Sequence, residues 1–127
     1  MVRPTVLVLD DDATMARYVS EILQHEGFDV VTSYRPEDAI RKIEAGARFD
    51  LAIVDVVMPN IGGDQVSRIL RQHDPDVKVL FVTGYSEVLF DARPVLWAGE
   101  SFLDKPFSPD GLLEAVWLLL RGRTTAA

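Results

Sequence analysis

Polar residues that could do chemistry stand where short apolar segments of the chain end. They are Asp10, Asp11 and Asp12, then Asp55, Thr83 and Lys105. Several carboxylates brought together repel one another unless a cation compensates their charge. Oxygen ligands without His or Cys suit a hard divalent ion, and a small set of carboxylates that leaves room for water suits Mg²⁺ better than Ca²⁺.

A metal beside a carboxylate, with a lysine and a threonine hydroxyl opposite, could hold a phosphoryl group. The cation and the ammonium would neutralise phosphoryl oxygens, and the hydroxyl would donate a hydrogen bond to another. These residues include no Ser–His pair and no second acid–base pair for hydrolysis. The simplest remaining chemistry is a carboxylate that acts as a nucleophile and becomes an acyl phosphate.

These side chains can meet only if the apolar segments form one sheet. The segments are rich in Val, Leu, Ile and Phe and nearly continuous, as expected of parallel strands buried on both faces. The predicted strands are Val6–Leu9, Phe28–Thr32, Leu51–Val54, Val77–Val82 and Ser101–Leu103. Amphipathic helices are predicted between them, from after Asp12 to Gly27, from Pro36 to Gly46, after Gly62-Gly63, from Ser86 to about Trp97, and from Ser108-Pro109-Asp110 onward.

This alternation predicts an α/β fold, a doubly wound (βα)₅ domain with five parallel strands and helices on both faces. In such folds, sites form outside the carboxyl ends of the strands. We therefore expect the polar residues above to share one edge of the sheet. The whole chain, 1–127, is predicted to be a single domain, with a core of about 5–121 and a short tail, 122–127.

The composition narrows the class of protein. The chain has 13 Lys and Arg against 20 Asp and Glu, a net charge of −7, which argues against nucleic-acid binding through this domain. It has no cysteine, which excludes a disulfide framework and a thiol nucleophile and fits a cytoplasmic location. The longest apolar run, Ala115 to Leu120, is too short to cross a membrane.

Four motifs taken together resemble the receiver domains of two-component response regulators. They are Val-Leu-Val-Leu-Asp10-Asp11-Asp12, then Asp55-Val-Val-Met58-Pro59 with Gly62-Gly63, then Val82-Thr83-Gly84, and Lys105-Pro106-Phe107. The resemblance extends from Val6 to about Leu120. It implies a flavodoxin-like sheet with strand order 2-1-3-4-5.

The resemblance also implies roles for particular residues. Asp55 would be phosphorylated by a partner's phosphohistidine, with Mg²⁺ bound by Asp10, Asp11, Asp55 and the backbone carbonyl of Val57. Thr83 and Lys105 would contact the phosphoryl group, and the Lys105–Pro106 peptide would be cis. Phe102 would change rotamer together with Thr83, although it lacks the hydroxyl of the commoner Tyr.

On this interpretation the chain is a phosphoacceptor switch and not an enzyme in its own right. Its partners would be a sensor histidine kinase or a histidine phosphotransfer protein and a downstream protein, with no membrane contact. Phosphorylation would alter the surface of the fourth helix, fifth strand and fifth helix, where a homodimer could also form. A stand-alone regulator, a phosphorelay intermediate and a receiver taken from a larger protein all stay open.

Other functions fit the sequence less well. A hydrolase of the haloacid-dehalogenase type needs a second carboxylate two residues after the nucleophile, where Val57 stands. A flavodoxin-like electron carrier needs a phosphate loop in place of Asp10-Asp11-Asp12, whose charge would repel flavin phosphate. A docking module that works without phosphorylation is the main alternative.

Several residues have simpler interpretations. Asp12 is predicted to cap the first helix, and His25 and His73 are read as structural. Trp97 and Trp117 are candidates for partner contact, because Trp is common at interface hot spots. Val57 and Tyr85 would flank the path of a water that attacks an acyl phosphate, and their low polarity favours slow autodephosphorylation.

Overall fold

The five predicted strands form one parallel sheet in the order β2-β1-β3-β4-β5. The computed structural model describes residues 3–84, 86–92 and 95–121, and the predicted tail, 122–127, lies outside these ranges. The strands are β1 (Thr5–Leu9), β2 (Asp29–Ser33), β3 (Leu51–Asp55), β4 (Lys78–Thr83) and β5 (Glu100–Asp104). This topology confirms the predicted α/β fold and strand order. Asp55 and Thr83 are themselves the last residues of their strands.

Burial explains why the central strands are almost uniformly apolar. Every residue of β3 is buried, and β1 and β4 are buried from their second residue on. Side chains on one face of the sheet, among them Leu9, Val54 and Phe81, belong to one hydrophobic cluster. Those on the other face, among them Val8 and Ile53, belong to a second cluster, which also includes Leu112. Parallel strands covered on both faces have no polar side to present to water.

Five helices connect or follow the strands. They are α1 (Ala13–His25), α2 (Pro36–Glu44), α3 (Gly63–His73), α4 (Ser86–Ala92) and α5 (Pro109–Arg121). Asp12 caps α1 as predicted, since its carboxylate accepts hydrogen bonds from the backbone N–H groups of Thr14 and Met15. In α5, Leu112 and Val116 are buried, while Leu113, Leu119 and Leu120 are partly buried against the same core.

The predicted end of the fourth helix is wrong. The helix was expected to continue to about Trp97, but α4 ends at Ala92, and residues 95–99 are not helical. Pro94, outside the described residues, is the sequence feature that accounts for the early end, because it lacks the N–H that a continuing helix would need. Gly99 adopts a positive φ of 82° in the turn just before β5.

Gly63 allows the start of α3 to lie directly against the end of β3. A Cβ atom at Gly63 would stand 2.3 Å from the backbone oxygen of Asp55 and 3.0 Å from the Val54 side chain. The Gly63 N–H also donates a hydrogen bond to the backbone oxygen of Val56, at 3.0 Å. In the sequence, the pair Gly62-Gly63 indicates only where the third helix begins, but Gly63 is also required by this close approach.

The substitution Gly63→Ala should therefore destabilise the fold by about 1–3 kcal/mol, because the new methyl group must push α3 away from β3. The free energy of unfolding in urea measures the effect. Gly84→Ala is the matched control, since a Cβ there meets nothing within 4 Å. Equal stability of the two variants would contradict the packing argument.

Candidate functional site

Three carboxylates meet at the carboxyl end of the sheet. Asp10, Asp11 and Asp55 each place one oxygen within 4.8 Å of the others. Asp10 and Asp55 are only 2% and 6% exposed, whereas Asp11 is open to solvent. The structure thus brings together the three side chains that the sequence predicts as metal ligands.

Strand register and backbone hydrogen bonds hold this group in place. Leu9 pairs with Val54, so the residues that follow them, Asp10 and Asp55, lie side by side. The Asp10 N–H donates to the backbone oxygen of Ser33 at 3.2 Å, and the Asp12 N–H donates to Asp10 Oδ1 at 2.9 Å. The acidic loop is therefore fixed by β1, β2 and the first turn of α1.

Lys105 supplies the positive charge of the site. Its Nζ lies 3.0 Å from Asp10 Oδ2 and 3.7 Å from Asp55 Oδ1. The Lys105 backbone N–H donates to the oxygen of Thr83 at 2.8 Å, which fixes the residue beside the end of β4. The Lys105–Pro106 peptide is cis, as predicted.

The environment of Asp55 disfavours its charged form. Burial is the largest cause and the charge of Asp10 the next, and with a smaller contribution from Asp11 they raise the pKa of Asp55 from 3.8 to about 7. Lys105 and a hydrogen bond from the Val57 backbone oppose this shift without cancelling it. One ammonium does not offset three neighbouring carboxylates, so the site favours an additional cation.

The donor set fits a hard divalent cation. Asp10, Asp11 and Asp55 offer oxygen atoms only, and the exposed side of Asp11 leaves room for water ligands. Val57 follows two residues after Asp55 and is 46% exposed, and the role of its carbonyl stays a prediction.

The predicted switch residues lie on the neighbouring strands. Thr83, 1% exposed, ends β4 and pairs with Asp104 of β5. Phe102 is 37% exposed, and its ring packs edge-on against Phe90 of α4 with centroids 5.1 Å apart. Phe102 therefore connects β5 to α4 on the outer surface. Tyr85, the other residue predicted near this site, lies outside the described residues.

The two tryptophans rest on neighbouring side chains. Trp97 lies beside the guanidinium groups of Arg68 and Arg71, in the connection that leads to β5. Trp117 packs on Phe28 at 5.0 Å, and its Nε1 donates to Glu26 at 3.3 Å. Partner contact through either ring stays a prediction.

Sequence reasoning missed two residues that shape the site. The backbone oxygen of Ser33, at the end of β2, accepts a hydrogen bond from the Asp10 N–H. Any residue type could make this backbone contact, so the identity of Ser33 gave no signal for it. Gly63 was visible as half of a glycine pair before a helix, and that pair was the available signal for a close approach to β3.

Comparison with known proteins identifies the family. The family described as response regulator receiver domain matches residues 6–117. The chain therefore belongs to the receiver domains of two-component response regulators, and Asp10, Asp11 and Asp55 form the acidic pocket typical of phosphorylation in that family.

Relatives include parts of longer proteins. The alkaline phosphatase synthesis transcriptional regulatory protein PhoP of Bacillus subtilis is 30% identical over 96% of this chain and 50% of its own length. The sensor kinase CckA of Brucella abortus is 35% identical over 82% of this chain and 11% of its own length. The chain thus spans about half of the first of these relatives and a small part of the second.

Solved receiver structures share the fold. A response regulator receiver protein from Sinorhizobium medicae has a TM-score of 0.86 and 28% identity, covering 96% of this chain and 98% of its own. The response regulator TrrA of Thermotoga maritima, solved with Mg²⁺ and BeF, has a TM-score of 0.80 and 33% identity, covering 92% and 99%. Among the described residues, no helix is long and apolar enough to span a membrane.

The raised pKa of Asp55 predicts how stability depends on pH. The folded state holds the Asp55 proton more tightly than the unfolded chain, so this residue lowers stability progressively as the pH rises from about 4 to about 7. In EDTA, Asp55→Asn should be more stable than the wild type by about 1–3 kcal/mol at pH 8, with the difference shrinking towards pH 4.

Urea unfolding at several pH values measures this difference. Asp76→Asn is the control, because Asp76 is exposed and away from the site. A difference that is the same at pH 4 and pH 8 would contradict the assignment to Asp55 ionisation.

Proposed function

We propose that this receiver domain takes a phosphoryl group onto Asp55 from the phosphohistidine of a sensor histidine kinase or a histidine phosphotransfer protein. A carboxylate oxygen of Asp55 forms the new P–O bond as the P–N bond breaks, and the bonding electron pair returns to the imidazole nitrogen. The observation that carries the proposal is the nearly buried Asp55 beside two further carboxylates and Lys105.

Asp10, Asp11 and Asp55, with the Val57 carbonyl, would hold Mg²⁺. The ion supplies positive charge against the incoming phosphoryl oxygens. The described residues contribute the rest. Lys105, now shared between Asp10 and Asp55, would pair with the same oxygens.

The chain itself is a phosphoacceptor that assists its own phosphorylation, and not an enzyme that acts on a separate substrate. What supports this proposal is that the other groups gathered at the described site have roles in holding a metal and a phosphoryl group, Asp10 and Asp11 as predicted metal ligands and Lys105 as the partner of Asp10 and Asp55. The sensor kinase CckA and the regulator PhoP represent the two contexts in which related domains occur. A kinase and a downstream protein are therefore the partners we propose.

Phosphorylation would be read out through Thr83 and Phe102. The phosphoryl group brings its charge of about −1.5 to −2 to a site that is already acidic. A Thr83 hydroxyl that turns towards it would free space behind β4, and Phe102 could then leave Phe90 and turn inward. Such a change would alter the surface of α4, β5 and α5, where a partner or a second copy would bind.

Intact-protein mass after incubation with acetyl phosphate and Mg²⁺ tests the phosphoacceptor role. The wild type and Asp76→Asn should each gain one phosphoryl group, whereas Asp55→Asn should gain none, and EDTA should abolish the gain in all samples. A wild type that takes up neither a phosphoryl group nor beryllofluoride would contradict the proposal and favour a docking module.

The switch is tested by the ring signals of Phe102 in NMR spectra. Beryllofluoride with Mg²⁺ should move the Phe102 ring away from Phe90 in the wild type, and Thr83→Ala should reduce the population shift at least about tenfold, because the hydroxyl contact is lost. An equal response in Thr83→Ala would show that Thr83 does not couple the two sites.

A further inference from the structure

Arg71, in the last turn of α3, binds the segment that leads into β5. Its Nε lies 3.4 Å from Glu100 Oε2, and its Nη2 donates to the backbone oxygen of Ala98 at 2.9 Å. Its Nη1 donates to the backbone oxygen of Pro75 at 3.4 Å. One planar guanidinium thus joins α3, the loop before β4 and the start of β5, a geometry for which arginine is suited and lysine is not.

Glu100 makes this contact energetically important. Its side chain is 0% exposed, and that of Arg71 is 17% exposed. Removing one member of such a buried pair takes away a charge partner of the other and is therefore destabilising. Glu100 Oε1 also accepts the Trp97 N–H at 2.8 Å, and the Glu100 N–H donates to the Trp97 oxygen at 3.1 Å, so the turn from 97 to 100 is closed by side chain and backbone together.

Trp97 covers the ion pair. Its ring lies 5.4 Å from the Arg68 guanidinium carbon and 5.5 Å from that of Arg71. Trp97 is 40% exposed, as an interface residue would be. Its position over Arg71 also suits it to a structural role, because an apolar ring there limits the access of water and salt to the Arg71 guanidinium.

We infer that Arg71, Glu100 and Trp97 form a latch that fixes the start of β5 and confines any movement of this strand to its other half. Among the described strands, β5 lies at an edge of the sheet and has β4 as its neighbour. The latch holds its beginning, where the Val79 N–H donates to Gly99 at 2.9 Å, and Lys105 follows its end. Phe102 lies between these two points. This proposal goes beyond the proposed function. The contacts that fix the start of β5 do not depend on phosphorylation or metal binding at the site.

Amide hydrogen exchange under native conditions tests the latch. In Arg71→Met, the amides of Glu100 and Val79 should exchange roughly tenfold or more faster than in the wild type, after correction for global stability with the central-strand amides of Leu7 and Ile53. Arg68→Met is the matched control. Arg68 contacts the same ring but pairs with Asp64, at 3.2 Å, and should give less than about a twofold change.

Equal effects of the two variants, or protection of Glu100 that survives Arg71→Met, would overturn the latch. If Arg71→Met does not fold, Arg71→Lys provides the test, because lysine keeps the charge but cannot serve the carboxylate and two carbonyls together. Faster exchange confined to Glu100 and Val79 in that variant supports the latch, and unchanged exchange overturns it.

Trp97→Ala tests whether the Trp97 ring shields the ion pair from water and salt. Exchange at Glu100 should become faster as NaCl is raised in this variant and change little in the wild type, because an uncovered ion pair is screened by salt. The same salt dependence in both proteins would overturn the role assigned to the ring.

Binding of beryllofluoride with Mg²⁺ tests whether movement of β5 is confined to the half of the strand beyond the latch. Of the experiments on the latch, this one rests on the proposed function. Binding should change the amide signals of Phe102 and Lys105 more than those of Glu100 and Val79. Equal changes would overturn the confinement. The exchange measurements use neither metal nor phosphodonor, so failure of phosphorylation and failure of the latch are distinguishable.

Discussion

The repulsion among three carboxylates at one end of the sheet is the constraint on which the rest of this structure depends. Asp10 and Asp55 are nearly buried, Asp11 stands beside them, and the ammonium of Lys105 reaches the first two. The isolated domain therefore carries an excess of negative charge in a place where water screens it poorly. Such an excess favours the binding of a divalent cation, which would alter the balance of charge around Lys105.

The core holds this arrangement together by fixing where strands end. β1 and β3 are buried on both faces, so their register cannot shift without moving apolar side chains out of the two clusters that cover the sheet. Their fixed register sets Asp10 beside Asp55. Gly63 then brings α3 against the Asp55 backbone. Packing thus opposes the electrostatic tendency of the acidic residues to separate.

Local and repeating features could be predicted from the sequence, whereas pairings between distant residues could not. Continuous apolar segments indicated the strands, and the rule that sites form at carboxyl strand ends brought Asp55 and Lys105 together. The cap at Asp12 follows from its residue type. In contrast, Arg71 and Glu100 are 29 residues apart and belong to no motif, so their ion pair required the structure. The fourth helix is predicted to extend past Ala92 to about Trp97, although Pro94 and Gly99 in the sequence already interrupt its pattern.

The fifth strand combines local features that the sequence predicts with pairings between distant residues that it does not predict. An edge strand has one neighbour and is the strand most easily displaced from a sheet. Among the contacts between described residues, two ion pairs restrain it, Arg71 with Glu100 at its start and Lys105 with Asp10 just after its end. The first is buried under Trp97, while the second takes part in the functional site. Of these two contacts, only the second includes residues of the candidate site. On the proposed function, the part of β5 that would respond to a change of charge at the site is therefore the part that lies between Glu100 and Lys105 and includes Phe102.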